Sequence, residues 1–98
     1  MKKIYPVIFT QTEDGFLVEV PDLEILTEGK DLEDATYMAK DAIGLHGIFL
    51  EDRKQEIAKP SNEMEIDINK GTFVNLGKSF IDSVEVDFVE YRLRLEDE

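Results

Sequence analysis

Apolar and polar positions change their period several times along this chain, and each change predicts an element. Residues 2 to 11, Lys-Lys-Ile-Tyr-Pro-Val-Ile-Phe-Thr-Gln, are dense in β-branched and aromatic side chains and predict a strand, with Pro6 near its entry, where a missing donor is tolerated. Glu13-Asp14-Gly15 then turns the chain, because glycine takes the positive φ that tight hairpins demand. Phe16 to Val20 returns as a second strand, Pro21-Asp22 ends it, and Leu23 to Glu28 forms a short third strand closed by Gly29. Three strands joined by such short loops make an antiparallel meander.

From Leu32 the period lengthens. Leu32, Ala35, Ala39, Ala42, Ile43, His46, Phe49 and Leu50 recur at spacings of three and four and define one face of a helix over about residues 32 to 52. Asp31 is its expected N-cap, and Glu33 and Asp34 meet the positive end of the helix dipole. At about 1.5 Å per residue the helix is about 30 Å long, enough to cover one face of a small sheet. Gly44 and Gly47 inside it each cost about 1 kcal/mol relative to alanine, so a close approach of backbone is expected on their side, with a helix break as the competing outcome. Residues 54 to 78 read as a long polar connection with short extended pieces around Met64 to Ile68 and Thr72 to Leu76. Ser83 to Tyr91 alternates again: Val84, Val86 and Phe88 face a core, Glu85 and Asp87 point outward, and the segment predicts strand four. The fold class is therefore α+β, in the order β-β-β-α-β, an antiparallel sheet with one long helix packed on one face.

Composition narrows the function more than the fold. The 98 residues carry 11 Lys+Arg against 23 Asp+Glu, a net charge of −12, distributed as −3, −3 and −6 over residues 1–30, 31–60 and 61–98. That excess argues against gripping nucleic acid, whose affinity rests on cations displacing counterions, and favours a basic protein partner. There is no cysteine and a single histidine, which excludes disulfide scaffolds, thiolate metal sites and multi-histidine centres. No apolar run approaches the ~20 residues of a membrane span, and the start lacks a signal-peptide core, so a cytoplasmic protein without membrane contact is expected.

Candidate chemistry fails on spacing. A metal-dependent nuclease of the ribonuclease H type gathers carboxylates from neighbouring strands, and the first strand here has none to meet Glu85 and Asp87. Asp67-Ile68-Asn69-Lys70-Gly71 begins like a calcium loop, but Thr72 stands at its sixth position and Lys78 at its twelfth. Gly77-Lys78-Ser79 lacks the glycine and the strand–helix setting of a phosphate loop. His46 lies on the apolar stripe with no nucleophile to serve, and Ser61, Ser79 and Ser83 have no base in their context. Apart from Arg92 and Arg94, cations are scattered, so no nucleic-acid surface is marked. The sequence predicts no catalytic residue, no cofactor and no metal ligand.

Tyr5-Pro6, the turn Glu13-Asp14-Gly15, Pro21-Asp22-Leu23, Thr27-Glu28-Gly29 and the helix start Leu32-Glu33-Asp34-Ala35 resemble the N-terminal domain of the HicB family of antitoxins. The stretch from Phe80 to Tyr91, with Val84-Glu85-Val86-Asp87 and the following tyrosine, resembles that family's closing strand. The resemblance implies a partial ribonuclease H-like fold over residues 1–92, followed by a linker stub at 93–98 where many members continue into a ribbon-helix-helix or helix-turn-helix module. Many members also carry Pro-Gly-Cys where Glu24-Ile25-Leu26 stands here. It further implies the antitoxin of a type II toxin–antitoxin system, which occludes a small basic HicA-type toxin that cleaves mRNA. Operator DNA and repression of the operon belong, on this resemblance, to the C-terminal module alone.

The residues allow that role, because an acidic domain steers towards a basic protein and can fill the places of its phosphates without catalysis. The expected partner-binding residues are the acids bordering the sheet, Glu13, Asp14, Glu19, Asp22, Glu24 and Glu28, with Phe16 as an apolar anchor. Val84, Glu85, Val86, Asp87 and Phe88 are the expected self-association strand, since an open sheet leaves edges that a homodimer or higher homo-oligomer can pair. A stand-alone interaction or ligand-binding domain without a toxin is the alternative, and a degenerate hydrolase is the third class.

Overall fold

The structure is a computed structural model that describes residues 1–97. Four strands, β1 (Lys2–Thr12), β2 (Gly15–Val20), β3 (Ile25–Gly29) and β4 (Lys78–Asp87), form one antiparallel sheet in the order β3-β2-β1-β4. The long helix α1 (Leu32–Asp52) crosses one face, and a second helix, α2 (Phe88–Glu96), follows β4 directly. The α+β class, the meander and the long helix agree with the sequence reading. Among the described residues no helix is long and apolar enough to cross a membrane.

Pro6 and Pro21 explain where the β1–β2 ladder stops. The Phe88 amide donates to the Met1 carbonyl at 3.0 Å, which extends the β1–β4 register by one pair and fixes its phase. In that phase the odd-numbered residues of β1 exchange backbone hydrogen bonds with β4, and the even-numbered ones turn theirs towards β2. Pro6 is even-numbered, so it withholds nothing from β4 even though it is fully buried in a central strand. Continued past Ile8↔Glu19, the β1–β2 register would set Pro6 against Pro21, two residues without an N–H. The ladder ends there, and Pro21–Leu23 winds into a 3₁₀ turn closed by Glu24 in the left-handed region at φ 54°. Strand three accordingly begins at Ile25 rather than Leu23. At the other end of β2, Gly15 takes the positive φ expected of it, 145°.

Tyr5, Val7, Phe9, Val18, Val20, Val84 and Val86 of the sheet pack against Ala35, Ala39 and Ile43 of α1. Asp31 caps the helix as expected, accepting from the Asp34 amide at 2.8 Å. The helix does not break at its glycines, yet the buried stripe is narrower than the sequence pattern: Leu32 and Phe49 are about half exposed, at 44% and 53%, and His46 is half-buried.

Two segments differ from expectation. Strand four begins five residues earlier than read, at Lys78, and stops at Asp87; residues 88 to 91 are helical. Asp87 caps α2, accepting from the amides of Val89 (3.1 Å) and Glu90 (3.2 Å). The helix wins over the alternating pattern because Phe88 and Tyr91, three apart on one face, settle on Gly47 and Gly44, where any side chain would overlap the two rings. Residues 93–96, expected as a linker stub, continue this helix, and Glu98 lies outside the described residues. The connection from 53 to 77 holds no strand; Glu63–Glu65, Ile68–Lys70 and Val74–Leu76 are 3₁₀ turns, the first two capped by Asn62 and Asp67. Ile57 packs against the helix-side core, whereas the later part of the connection lies over the second face of the sheet, with Gly71 against the Ile8 side chain; Ile8 and Thr10 are buried at 3% and 1% exposure.

Candidate functional site

Of the acids expected at a partner surface, four are free to serve and two are engaged inside the molecule. Glu13 and Asp14 form the exposed β1–β2 turn, and Glu24 and Glu28 are exposed at either end of β3. Glu19 and Asp22 instead clip the long connection to the sheet. Glu19 accepts from the amide and the hydroxyl of Thr72 (2.7 and 2.9 Å), and Asp22 from the amide and the hydroxyl of Ser61 (2.6 and 2.7 Å). Glu63 makes a third clip by accepting from the Ser83 hydroxyl. Carboxylates that each take two hydrogen bonds at sequence separations of 39 and 53 residues hold chain in place.

Phe16 is half-buried and meets the ring of Phe80 edge-on, with centroids 6.5 Å apart, while Phe80 stacks on the buried Phe9 at 5.4 Å. It belongs to the corner of the core. The exposed apolar side chain on this edge is Leu26, 53% exposed and flanked along β3 by Glu24 and Glu28. Strand parity held the signal for it: with Ile25 and Thr27 turned to the helix, Leu26 must face the other way. The acids at the β1–β2 turn and those around β3 therefore form two groups along the β2–β3 side of the sheet.

The expected self-association residues divide differently. Val84, Val86 and Phe88 are 3%, 5% and 8% exposed, and their side chains belong to the core. Glu85 is exposed, and Asp87 is occupied as the cap of α2. The hydrogen bond from the Glu90 amide, helped by the Met1 ammonium, the Val89 amide and Lys2, holds the Asp87 carboxyl below the ordinary carboxylate range. Across the ladder Glu85 faces Ile4, and Asp87 faces Lys2. The carboxylate that a nuclease metal site needs on the first strand is absent from both places. Among the described residues no three His, Asp or Glu side chains converge as metal ligands.

Polar contacts of Tyr5, Tyr91 and Arg92 tie further segments together. The Tyr5 hydroxyl donates to the Ala58 carbonyl, and burial followed by the nearby Asp22 carboxylate pushes its pKa up to about 12. On the helix side Tyr91 donates to Asp41, and Arg92 bridges Asp52 (2.8 Å) and Glu51 (2.9 Å). The hydrogen bond to Asp52 is the main cause that raises the guanidinium pKa.

No protein-family model matches the chain, and no curated protein matches it. Solved structures do. A chain of a toxin–antitoxin complex from Streptococcus pneumoniae is 28% identical, superposes with a TM-score of 0.75, and is matched over 93% of this chain and 73% of its own length. A chain of the HicA3 and HicB3 toxin–antitoxin complex superposes with a TM-score of 0.67 over 86% of this chain and 98% of its own, at 22% identity, a likeness of fold. The fold is thus similar to that of HicB antitoxin structures, in keeping with the resemblance carried by the sequence motifs.

Proposed function

We propose that this chain is the antitoxin of a type II toxin–antitoxin system and acts by occlusion, covering a small basic ribonuclease of the HicA type in the cytoplasm. The carrying observation is the 28% identical chain of a toxin–antitoxin complex that superposes along nearly the whole of this one. The charge of −12 supplies the chemistry, since carboxylates set against a basic RNA-binding face hold the places that phosphates would take. Glu13, Asp14, Glu24 and Glu28 are the free carboxylates for that contact, and Leu26 is the apolar side chain around which an interface can close. Occlusion asks for no catalytic group. Operon repression, if a C-terminal DNA-binding module exists, belongs to that module rather than to this acidic domain.

The test is direct. The chain is mixed with a small basic ribonuclease of the HicA type, and RNA cleavage and complex formation are followed at low and high salt. One equivalent of the chain is expected to stop cleavage, and association is expected to slow at least tenfold as salt screens the carboxylates. Reversal of the free acids, as Glu13→Lys with Glu24→Lys and Glu28→Lys, is expected to slow it further. A chain that binds no basic ribonuclease would return the fold to the class of stand-alone interaction domains. RNA cleavage by the chain itself, with Mg2+ and abolished by Glu85→Ala, would make it a hydrolase.

A further inference from the structure

We propose that the free edge of β4 accepts an extended, basic segment of another protein chain, and that Asp82 is the gate reserving the edge for such a segment. The phase of the sheet identifies the groups on offer. Because even-numbered residues of β4 bond to β1, the N–H and C=O of Ser79, Ile81, Ser83 and Glu85 point away from the sheet. Among the described residues none of these groups has a backbone partner, and only the Ser83 amide is engaged, donating to Asp82 Oδ1 at 2.8 Å. The opposite edge, β3, is five residues long; β4 has ten and no proline. A long open edge is a template for strand addition unless something guards it.

Asp82 is placed as such a guard. It lies on the helix side of the sheet opposite the fully buried Val7, yet it is exposed, and its carboxylate takes up the donor in the middle of the edge. The edge is thereby split into an upper part at Ser79 and Ile81 and a lower part at Glu85. An incoming lysine or arginine beside Asp82 gives the carboxylate a better partner and frees the Ser83 amide, so that one ladder can run from Ser79 to Glu85.

Charge selects the occupant. Asp82, Glu85 and Glu63, which is bonded to Ser83, surround the edge, and Lys78 is the cation on the strand. A second copy would bring another −12 and set acids against acids across the new ladder, which is unfavourable. A strand with cations at alternate positions meets the edge with the opposite sign. This surface is separate from the acids around β3, and its test does not depend on the toxin reading.

The experiment uses the full chain with two ten-residue peptides, one alternating Lys and Val and one alternating Thr and Val, and follows amide hydrogen exchange by NMR. The Lys/Val peptide is expected to slow exchange at least tenfold at Ser79, Ile81, Ser83 and Glu85, and the Thr/Val peptide to leave those amides unchanged. In D82A the discrimination is expected to vanish, with both peptides protecting the edge. D82N, which keeps an oxygen for the Ser83 amide but no charge, is expected to bind neither. Glu85→Pro removes an edge-facing amide without touching the β1–β4 bonds, as Pro6 does on the other strand, and is expected to keep the fold and lose the protection. Protection by the Lys/Val peptide at other residues, equal protection by both peptides in the unaltered chain, or dimers formed through β4 without peptide would each overturn the proposal.

Discussion

The two faces of the sheet are covered by different physics. On one, α1 lays Ala35, Ala39 and Ile43 on seven buried sheet side chains, a contact made of apolar area. On the other, a connection without regular strands is held by Glu19, Asp22 and Glu63, whose carboxylates accept from Thr72, Ser61 and Ser83. Apolar packing is cooperative and spreads a local loss through the domain. Hydrogen-bond clips at a partly exposed surface are separable, and each can open while the sheet stays folded. The difference teaches that this chain uses its acids in more than one way: some keep its own loop in place, and others, Glu13, Asp14, Glu24 and Glu28 among them, are exposed.

The largest expected effect lies on the helix side. Ile43→Ala leaves a cavity under α1 and is expected to destabilise the whole domain by about 2–5 kcal/mol, read as a lower urea midpoint seen equally by every probe. On the other side, Asp22→Ala removes two hydrogen bonds and is expected to cost about 1–2 kcal/mol locally, so that the Ser61 amide exchanges faster by about tenfold while amides within α1 keep their rates. Should Asp22→Ala lower the global midpoint as far as Ile43→Ala does, the two covers form one cooperative unit and the contrast fails.

The smallest effect belongs to Tyr5, which touches both regimes: its ring is core and its hydroxyl reaches the connection at Ala58. Its pKa in the folded chain, about 12, lies above the ordinary value of 10.0. A raised pKa favours the fold while the phenol is neutral. That contribution is fully present below pH 10 and is lost as pH rises through about 12. Tyr5→Phe is expected to cost about 1 kcal/mol at neutral pH for the lost hydrogen bond and to flatten the fall in stability between pH 10 and 12. An unchanged alkaline limb in the variant would show that the phenol titrates alike in the folded and the unfolded chain.

The strand meander and α1 were legible because their signals are local: period two, period three to four, Asp-Gly at the turn, and Asp31 before the helix. The start of α2 was legible in part. Asp87 with Glu90 three residues on is a helix-start pattern, but Val84 to Phe88 continues a strand alternation into it, and local pattern alone gave no reason to stop. The vacancy on α1 at Gly44 and Gly47 decided the matter, and the sequence had announced it only as a place of close approach.

The candidate site divides in the same manner. That the acids of the β2–β3 region are numerous and mostly outward follows from strand parity and from charge, both readable along the chain. That Glu19 and Asp22 are spent on the connection, that Phe16 packs against the core, and that Leu26 stands exposed depends on partners 39 to 64 residues away, or on how an edge is covered.

What the sequence determined by itself is whatever repeats over one turn or one pleat: the elements, the face each buries, the sign of the charge. What only the tertiary structure decided is which donors and acceptors remain once distant segments meet. Pro6 shows both at once. Its missing N–H is a property of the residue, but that the loss falls opposite Pro21 and ends a ladder, rather than in β4 where it would break one, is set by the register of strands brought together in space. Contacts between remote segments carry no local period, so no window along the chain contains them.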